Sequence, residues 1–202
     1  MNDVTKVQRR TLGYWYLDGV VEMVVGVCGI AVGAATWATT VPGLGQIPRF
    51  FLLAFLIVLV LSPRWVKQLK ERTTFPRTGF VELRRDGSPS RVATAAVFVV
   101  VAAVYGVLFL LHVPQAVFPT LGPGLIGLVS MSYLAWWTGT PRLAVAGTIG
   151  LFGSVAFAVV GVVGGAGLGA SLLVVGVALL GTGVAAFTRY RKANPLGEGS
   201  ES

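Results

Sequence analysis

The sequence predicts an all-α membrane protein, a bundle of about six transmembrane helices with both termini on the cytoplasmic side. Hydrophobic residues make up 54% of the 202 residues and charged residues only 12%, whereas soluble domains carry roughly a quarter of charged residues. The apolar residues fall into six long stretches, and none alternates in polarity as the strands of a membrane barrel do. The positive charges lie almost entirely in alternate loops, which is typical of a multi-pass protein.

The six apolar stretches approach the length that a membrane-spanning helix needs, about 20 residues. We predict spans over residues 14–39, 50–65, 92–113, 116–138, 143–163 and 168–188. They form one transmembrane domain, 14–188, between a cytoplasmic N-terminus of residues 1–13 and a disordered cytoplasmic tail of residues 189–202. The second stretch is the shortest, and we expect its helix to continue past Pro63 into the charged loop.

The charge distribution predicts the orientation. Of the 16 lysines and arginines, only Arg49 falls on the side opposite to the others. Because loops rich in these residues stay in the cytoplasm, the other cations predict cytoplasmic termini and a cytoplasmic loop, residues 66–91, in a protein of the cell membrane. The net charge of +8 suits anionic lipid headgroups on that side, and its placement argues against nucleic-acid binding.

No pattern in the sequence is typical of an enzyme. A zinc-protease His-Glu-x-x-His motif and a phosphate-binding glycine-lysine loop are both missing. The single histidine, His112, is predicted at the outer end of the third span, away from the acids of the first. The single cysteine, Cys28, lies in the first span and supports neither a disulfide framework nor a cysteine-based metal site. We therefore expect no catalysis, no cofactor and no metal.

Asp18 and Glu22 are the only acids within or beside a predicted span. Four residues apart, they would share one face of a helix, with Glu22 about one turn deeper in the membrane. Ionisable groups at such depth are unfavourable and usually face protein or water. Two interpretations stay open: Glu22 forms a proton or cation site, or both acids pair with cytoplasmic arginines and fix the first helix. The loop offers four such arginines: Arg72, Arg77, Arg84 and Arg85.

Two segments resemble paired segments of a family of small multi-pass membrane proteins of bacteria and archaea. They are Tyr14-Trp-Tyr-Leu-Asp18-Gly19-Val-Val-Glu22 and Leu69-Lys-Glu-Arg-Thr-Thr-Phe75-Pro76-Arg77-Thr78-Gly79-Phe80-Val81. That family typically has tyrosines where Phe75 and Phe80 stand. The resemblance covers about a tenth of the chain. It implies a prokaryotic membrane protein with a shared loop, and it implies no reaction.

Both segments are predicted at the cytoplasmic end of the bundle and carry opposite charges. We expect Arg77, in a Pro-Arg-Thr-Gly turn, to form a bidentate pair with Asp18 or Glu22 and so to dock the loop on the first helix. The same loop is the candidate interaction surface, through Arg72, Phe75, Pro76, Thr78, Gly79, Arg84 and Arg85.

Small residues form one face of the first span. Gly19, Gly26 and Gly33 recur every seven residues, and Gly29 lies on the interleaved positions together with Glu22. Such a face lets another helix approach closely. We expect that helix to belong to the same bundle, and a second copy of the chain is the alternative.

The fourth span begins with two prolines and two glycines in Phe118-Pro-Thr-Leu-Gly-Pro-Gly124. This run allows a broken or partly re-entrant entry, which membranes tolerate only where the backbone is buried in protein or wet. It also allows a helix that starts late after a tight loop, and we favour the late start.

These features favour a non-catalytic scaffold or regulator that acts through its basic loop on a protein partner or on lipid. The alternative is a small proton- or cation-coupled transporter or channel that uses Glu22. A transporter needs a polar path, and the second, third, fifth and sixth spans contain almost no strongly polar residues.

Overall fold

The computed structural model describes residues 16–43, 64, 66–72 and 91–195. Within these ranges the chain is helical and contains no strand. Five helices follow one another: α1 (Val20–Ala38), α2 (Arg91–Leu110), α3 (Phe118–Thr138), α4 (Pro141–Val159) and α5 (Gly164–Ala193). Residues 66–72 form a further helical segment ahead of α2.

Four helical stretches are long and apolar enough to cross a membrane, namely Val20–Ala38, Gln115–Thr138, Pro141–Val159 and Gly164–Ala193. The second of them includes a 3₁₀ turn, Gln115–Val117, that leads into α3. The prediction of an all-α chain with long apolar helices is confirmed for these stretches. α2 corresponds to the predicted third span, and the predicted second span, residues 50–65, lies outside the described residues.

The first and last helices, α1 and α5, form the most extensive contact among the described helices. They pack antiparallel through two glycine series, each with a period of seven residues: Gly19 just ahead of α1 with Gly26 and Gly33 on it, against Gly169, Gly176 and Gly183 on α5. A Cβ atom at Gly26 would lie 2.5 Å from the backbone nitrogen of Leu180, so the two backbones are too close for any side chain. Gly29 also faces Gly176. The glycine face of α1 therefore packs against a helix of the same chain.

α3 and α4 form a tight antiparallel hairpin. Their connection is short because Gly139 adopts a left-handed conformation, with a φ of 72°, and ends α3 just before α4 begins at Pro141. Gly147 of α4 lies against the backbone of Gly127, and Gly124 of α3 lies against Ser154. α5 packs against both helices of this hairpin.

The expected late start of α3 is wrong. The helix begins at Phe118 and continues through Pro123, so the proline-glycine run forms its first turns. Pro119 is accommodated because the first turn of a helix leaves its N–H groups unpaired in any case. The hydroxyl of Tyr105 on α2 donates a hydrogen bond to the Phe118 carbonyl over 3.1 Å, which joins α2 to this end of α3.

Small residues fill the contacts between the helices and large apolar residues face outward, the reverse of the arrangement in a soluble protein. Many buried positions of α3, α4 and α5 hold glycine, alanine, serine or threonine. Large apolar side chains point outward, and Trp136, Phe152 and Val159 are 65%, 69% and 80% exposed. Contiguous apolar surface of this kind indicates contact with lipid or protein, and small residues at helix contacts are typical of membrane bundles.

Candidate functional site

The start of α1 carries the two acids, and its geometry differs from the sequence prediction. Gly19 adopts a left-handed conformation, with a φ of 72°, and interrupts the helix ahead of Val20. Asp18 therefore precedes α1, and its Oδ1 accepts a hydrogen bond of 3.1 Å from the N–H of Val20. The expectation that Asp18 and Glu22 share one helical face is wrong, because Asp18 precedes the left-handed Gly19 and lies outside the helix that carries Glu22.

Asp18 forms a buried ion pair with Lys70 of the 66–72 segment. The Lys70 Nζ lies 3.0 Å from the Asp18 Oδ2, and the side chains are only 2% and 1% exposed. Burial lowers the pKa of the Lys70 ammonium from its ordinary value, and the charge of Asp18 partly opposes this shift. Val66, one turn earlier, is buried on the same face of the segment. The pair therefore holds the segment against the entry of α1.

Glu22, in the first turn of α1, binds Arg142 in the first turn of α4. The Nε of Arg142 lies 2.9 Å from Oε1 and 3.2 Å from Oε2 of Glu22. The Nη2 of the same guanidinium donates to the Tyr16 carbonyl, and Nη1 lies 3.5 Å from the Leu17 carbonyl. Arg142 thus holds both the carboxylate and the backbone that leads into α1.

The two ion pairs tie three separate parts of the chain together. Lys70 comes from the 66–72 segment and Arg142 from the α3–α4 hairpin, and both reach the entry of α1. Both acids are almost fully buried. Breaking a buried pair by removing one partner typically costs about 3–5 kcal/mol, because the other charge is left buried. The arrangement can therefore hold this end of the bundle in one conformation.

Lys70 and Arg142 were not among the partners proposed from the sequence. Arg72 is exposed and lies beyond Lys70 on the same segment. Arg142 did carry a signal, because a cation in the first turn of a helix opposes the helix dipole and needs a separate reason. The remaining predicted loop residues lie outside the described residues: Phe75, Pro76, Arg77, Thr78, Gly79, Arg84 and Arg85.

A cavity of about 460 Å³ opens beside Arg142. Leu17 at the entry of α1 and the C-terminal turns of α5 line it, with Arg189 as a second guanidinium and Asn194 beyond it. The Arg142 side chain is 28% exposed, whereas its partner Glu22 is 2% exposed. The guanidinium therefore stands between a buried carboxylate and an open cavity.

The other sequence candidates for chemistry lie apart from these pairs. His112 is exposed just after α2 and has a φ of 56°, so it belongs to the turn that ends that helix. Cys28 is buried within α1. In the part of the chain that the structure describes, no three histidine, cysteine, aspartate or glutamate side chains cluster as metal ligands.

The described site is thus a pair of buried ion pairs at one end of a helical bundle, next to a cavity with two arginines. Comparisons of the chain with known protein families, with curated proteins and with solved structures return no match.

Proposed function

We propose that the chain is a multi-pass protein of the cell membrane that acts as a scaffold or regulator, with no catalytic activity. In this proposal it presents the end that carries the 66–72 segment to a partner in the cytoplasm. The observation that carries the proposal is the pair of buried ion pairs, which hold the segment and the α3–α4 hairpin against α1. A fixed surface is what a scaffold needs, since a partner then binds without the cost of ordering the surface.

The surroundings of the ion pairs support this orientation. Arg189, Arg191 and Lys192 lie at the same end as Lys70 and Arg142, in the last turns of α5. Tyr133, Trp136 and Trp137 form an aromatic cluster near the end of α3, with ring centroids 6.3–6.4 Å apart. Aromatic belts and cytoplasmic cations are the two usual markers of a membrane interface.

The alternative is a proton- or cation-coupled transporter that uses Glu22. Two observations weigh against it. Glu22 is engaged by Arg142, so its charge is already compensated. The cavity in the middle of the bundle, about 560 Å³, is lined mainly by apolar side chains and glycines, among them Val25, Ile126 and Leu172. An ion or a polar solute would cross this region without ligands, which is unfavourable.

Cysteine accessibility tests the orientation. Cys28 is the single cysteine, so Cys28→Ser gives a cysteine-free chain into which Lys67→Cys or His112→Cys is placed. Both parent residues are exposed, and they lie at opposite ends of the described structure. We expect a membrane-impermeant maleimide to label position 112 in intact cells and position 67 only after lysis. The reverse pattern contradicts the orientation, and a chain recovered in the soluble fraction contradicts the membrane location.

Crosslinking tests the scaffold role. A photoreactive amino acid at Lys67 or Arg72 should give one discrete protein adduct in intact cells, and the same probe at Val159 on the other end should give none. Asp18→Asn should lower the adduct yield, because it releases the 66–72 segment. Equal, diffuse adducts from both ends contradict the proposal.

Flux measurements test the alternative. Wild-type protein in liposomes should carry protons and monovalent cations no faster than empty vesicles do. A flux that Glu22→Gln abolishes would establish the transporter instead.

A further inference from the structure

The cavity beside Arg142 is lined by a charged residue that takes part in neither of the two ion pairs. Two arginines line the cavity, Arg142 and Arg189. Glu22 compensates the charge of Arg142. Arg189 is exposed and, among the described residues, has no acid within ion-pair distance. Among the described residues, the cavity therefore carries one positive charge without an acidic partner, that of Arg189.

The length of α5 sets the level of the cavity in a bilayer. The helix has 30 residues and is roughly 45 Å long at 1.5 Å per residue, whereas the hydrocarbon core is about 30 Å thick. A helix that begins at one interface therefore leaves the core about ten residues before its end. The residues of α5 that line the cavity, from Thr182 to Ala193, pass through the headgroup level.

Most of the surface that lines the cavity is apolar, and the apolar lining residues are Leu17, Ala185, Ala186 and Ala193, beside the polar Thr182, Tyr190 and Asn194. Arg142 and Arg189 add positive charge to this lining. One ligand class combines both features, a phospholipid, because its phosphate is an anion and its acyl chain is apolar. Arginine binds phosphate oxygens in bidentate geometry.

We propose that this cavity binds an anionic phospholipid, with the headgroup phosphate at Arg189 and Arg142 and the start of an acyl chain against Leu17 and Ala185. The site rests on the proposed membrane location and is independent of the scaffold role.

Native mass spectrometry of the detergent-purified chain tests the site, with phosphatidylglycerol and phosphatidylcholine of identical acyl chains as probes. Arg189→Gln removes the positive charge that has no acidic partner among the described residues. Arg191→Gln is the matched control, since Arg191 is also exposed and is not among the residues that line the cavity. The Cζ of Arg191 lies over the Phe187 ring, 5.9 Å from the ring centroid. Ala185→Phe fills the cavity without changing its charge. Ala185 is exposed, so the larger side chain does not disturb the helix contact.

We expect wild type and Arg191→Gln to bind phosphatidylglycerol alike, and Arg189→Gln to bind it about fivefold more weakly, as the loss of about 1 kcal/mol per basic residue near an anionic lipid implies. Ala185→Phe should lower binding as well. Equal binding by the two arginine variants, or equal binding of both lipids by wild type, would overturn the proposal.

Two further measurements show which part of the proposal a negative result contradicts. Millimolar inorganic phosphate should not displace the lipid; displacement at that concentration would identify a site for a soluble anion and would also overturn the lipid assignment. Fractionation of the same cells reports on the membrane location independently, so a membrane-embedded chain without lipid selectivity refutes only this site.

Discussion

Arg142 donates its Nε–H to Glu22 across 2.9 Å, from the first turn of one helix to the first turn of another. The positive charge of Arg142 opposes the dipole of α4, whereas the negative charge of Glu22 suits that of α1. The attraction between the two charges offsets two unfavourable energies, that of a cation at the start of α4 and that of a buried carboxylate. The energetic coupling of the pair is therefore the first quantity to measure.

Breaking this pair should reveal strong coupling. We expect Arg142→Gln to lower the free energy of unfolding by about 2–3 kcal/mol, somewhat less than for a fully buried pair, because the arginine is partly exposed. Glu22→Gln should cost less, since its amide oxygen still accepts from Arg142. Chemical unfolding of both single variants and the double variant in detergent should give a coupling energy of at least about 1 kcal/mol. Strictly additive effects would contradict a direct structural tie.

Substitution of the two lysines on the 66–72 segment should change the stability of the protein by different amounts, because only Lys70 pairs with the buried Asp18. Lys70→Met leaves the Asp18 carboxylate buried and should cost about 3 kcal/mol. Lys67→Met is the matched control, because the Lys67 side chain is 61% exposed and pairs with Glu71 only at 3.9 Å, a surface contact worth less than about 1 kcal/mol. Thermal unfolding of the two variants in the same detergent gives the comparison. Equal melting temperatures would show that the buried pair contributes nothing.

The α1–α5 contact should reject even a methyl group. A Cβ atom at Gly176 would lie 2.6 Å from the backbone nitrogen of Ile30, so Gly176→Ala must separate the two helices and should cost about 1–3 kcal/mol. Gly181→Ala is the control on the same helix, where the added Cβ meets nothing within 4 Å. That variant should be neutral or stabilising by up to about 1 kcal/mol. Similar unfolding curves for both would contradict the close backbone packing.

The stability of the protein should rise with pH through Lys70. Burial lowers the pKa of Lys70 below its ordinary value of 10.5, so the folded chain releases this proton at a lower pH than the unfolded chain does. Between the two pKa values the unfolded state binds more protons, and the free energy of unfolding increases with pH. The difference between wild type and Lys70→Met should therefore grow as the pH rises toward the unfolded-state pKa of 10.5. A difference that shrinks over this range would reverse the sign of the pKa shift.

Much of the fold follows from local features of the sequence. Long apolar runs predict helices, because only helices satisfy their own backbone within one segment. The bend at Gly19 was not predictable, because a glycine allows a left-handed conformation without requiring it, and Gly183, against which Gly19 packs, is remote in sequence. α5 also extends to Ala193, beyond the predicted end at residue 188. Its last turns include the basic residues that follow the apolar run.

The candidate site was predictable in its acids and not in their partners. Asp18 and Glu22 attract attention because charges are rare at such depth. Their partners are remote in sequence, and Arg142 follows Glu22 at a separation of 120 residues. Many cations lie on the same predicted side, and only the helix register selects among them. Arg77, the partner expected from its turn, lies outside the described residues.

The contact between α1 and α5 also has a consequence for how the chain is assembled. Synthesis delivers α1 before α5, so the glycine face of α1 lacks the helix that it packs against until α5 has been made. Glu22 waits nearly as long for Arg142, which arrives at the start of α4. Until those partners arrive, an unpaired carboxylate and a bare glycine face are targets for premature association with other helices. The contact between α1 and α5 can therefore form only after α5 has been made, and a truncation that removes α5 should leave the glycine face of α1 without this contact.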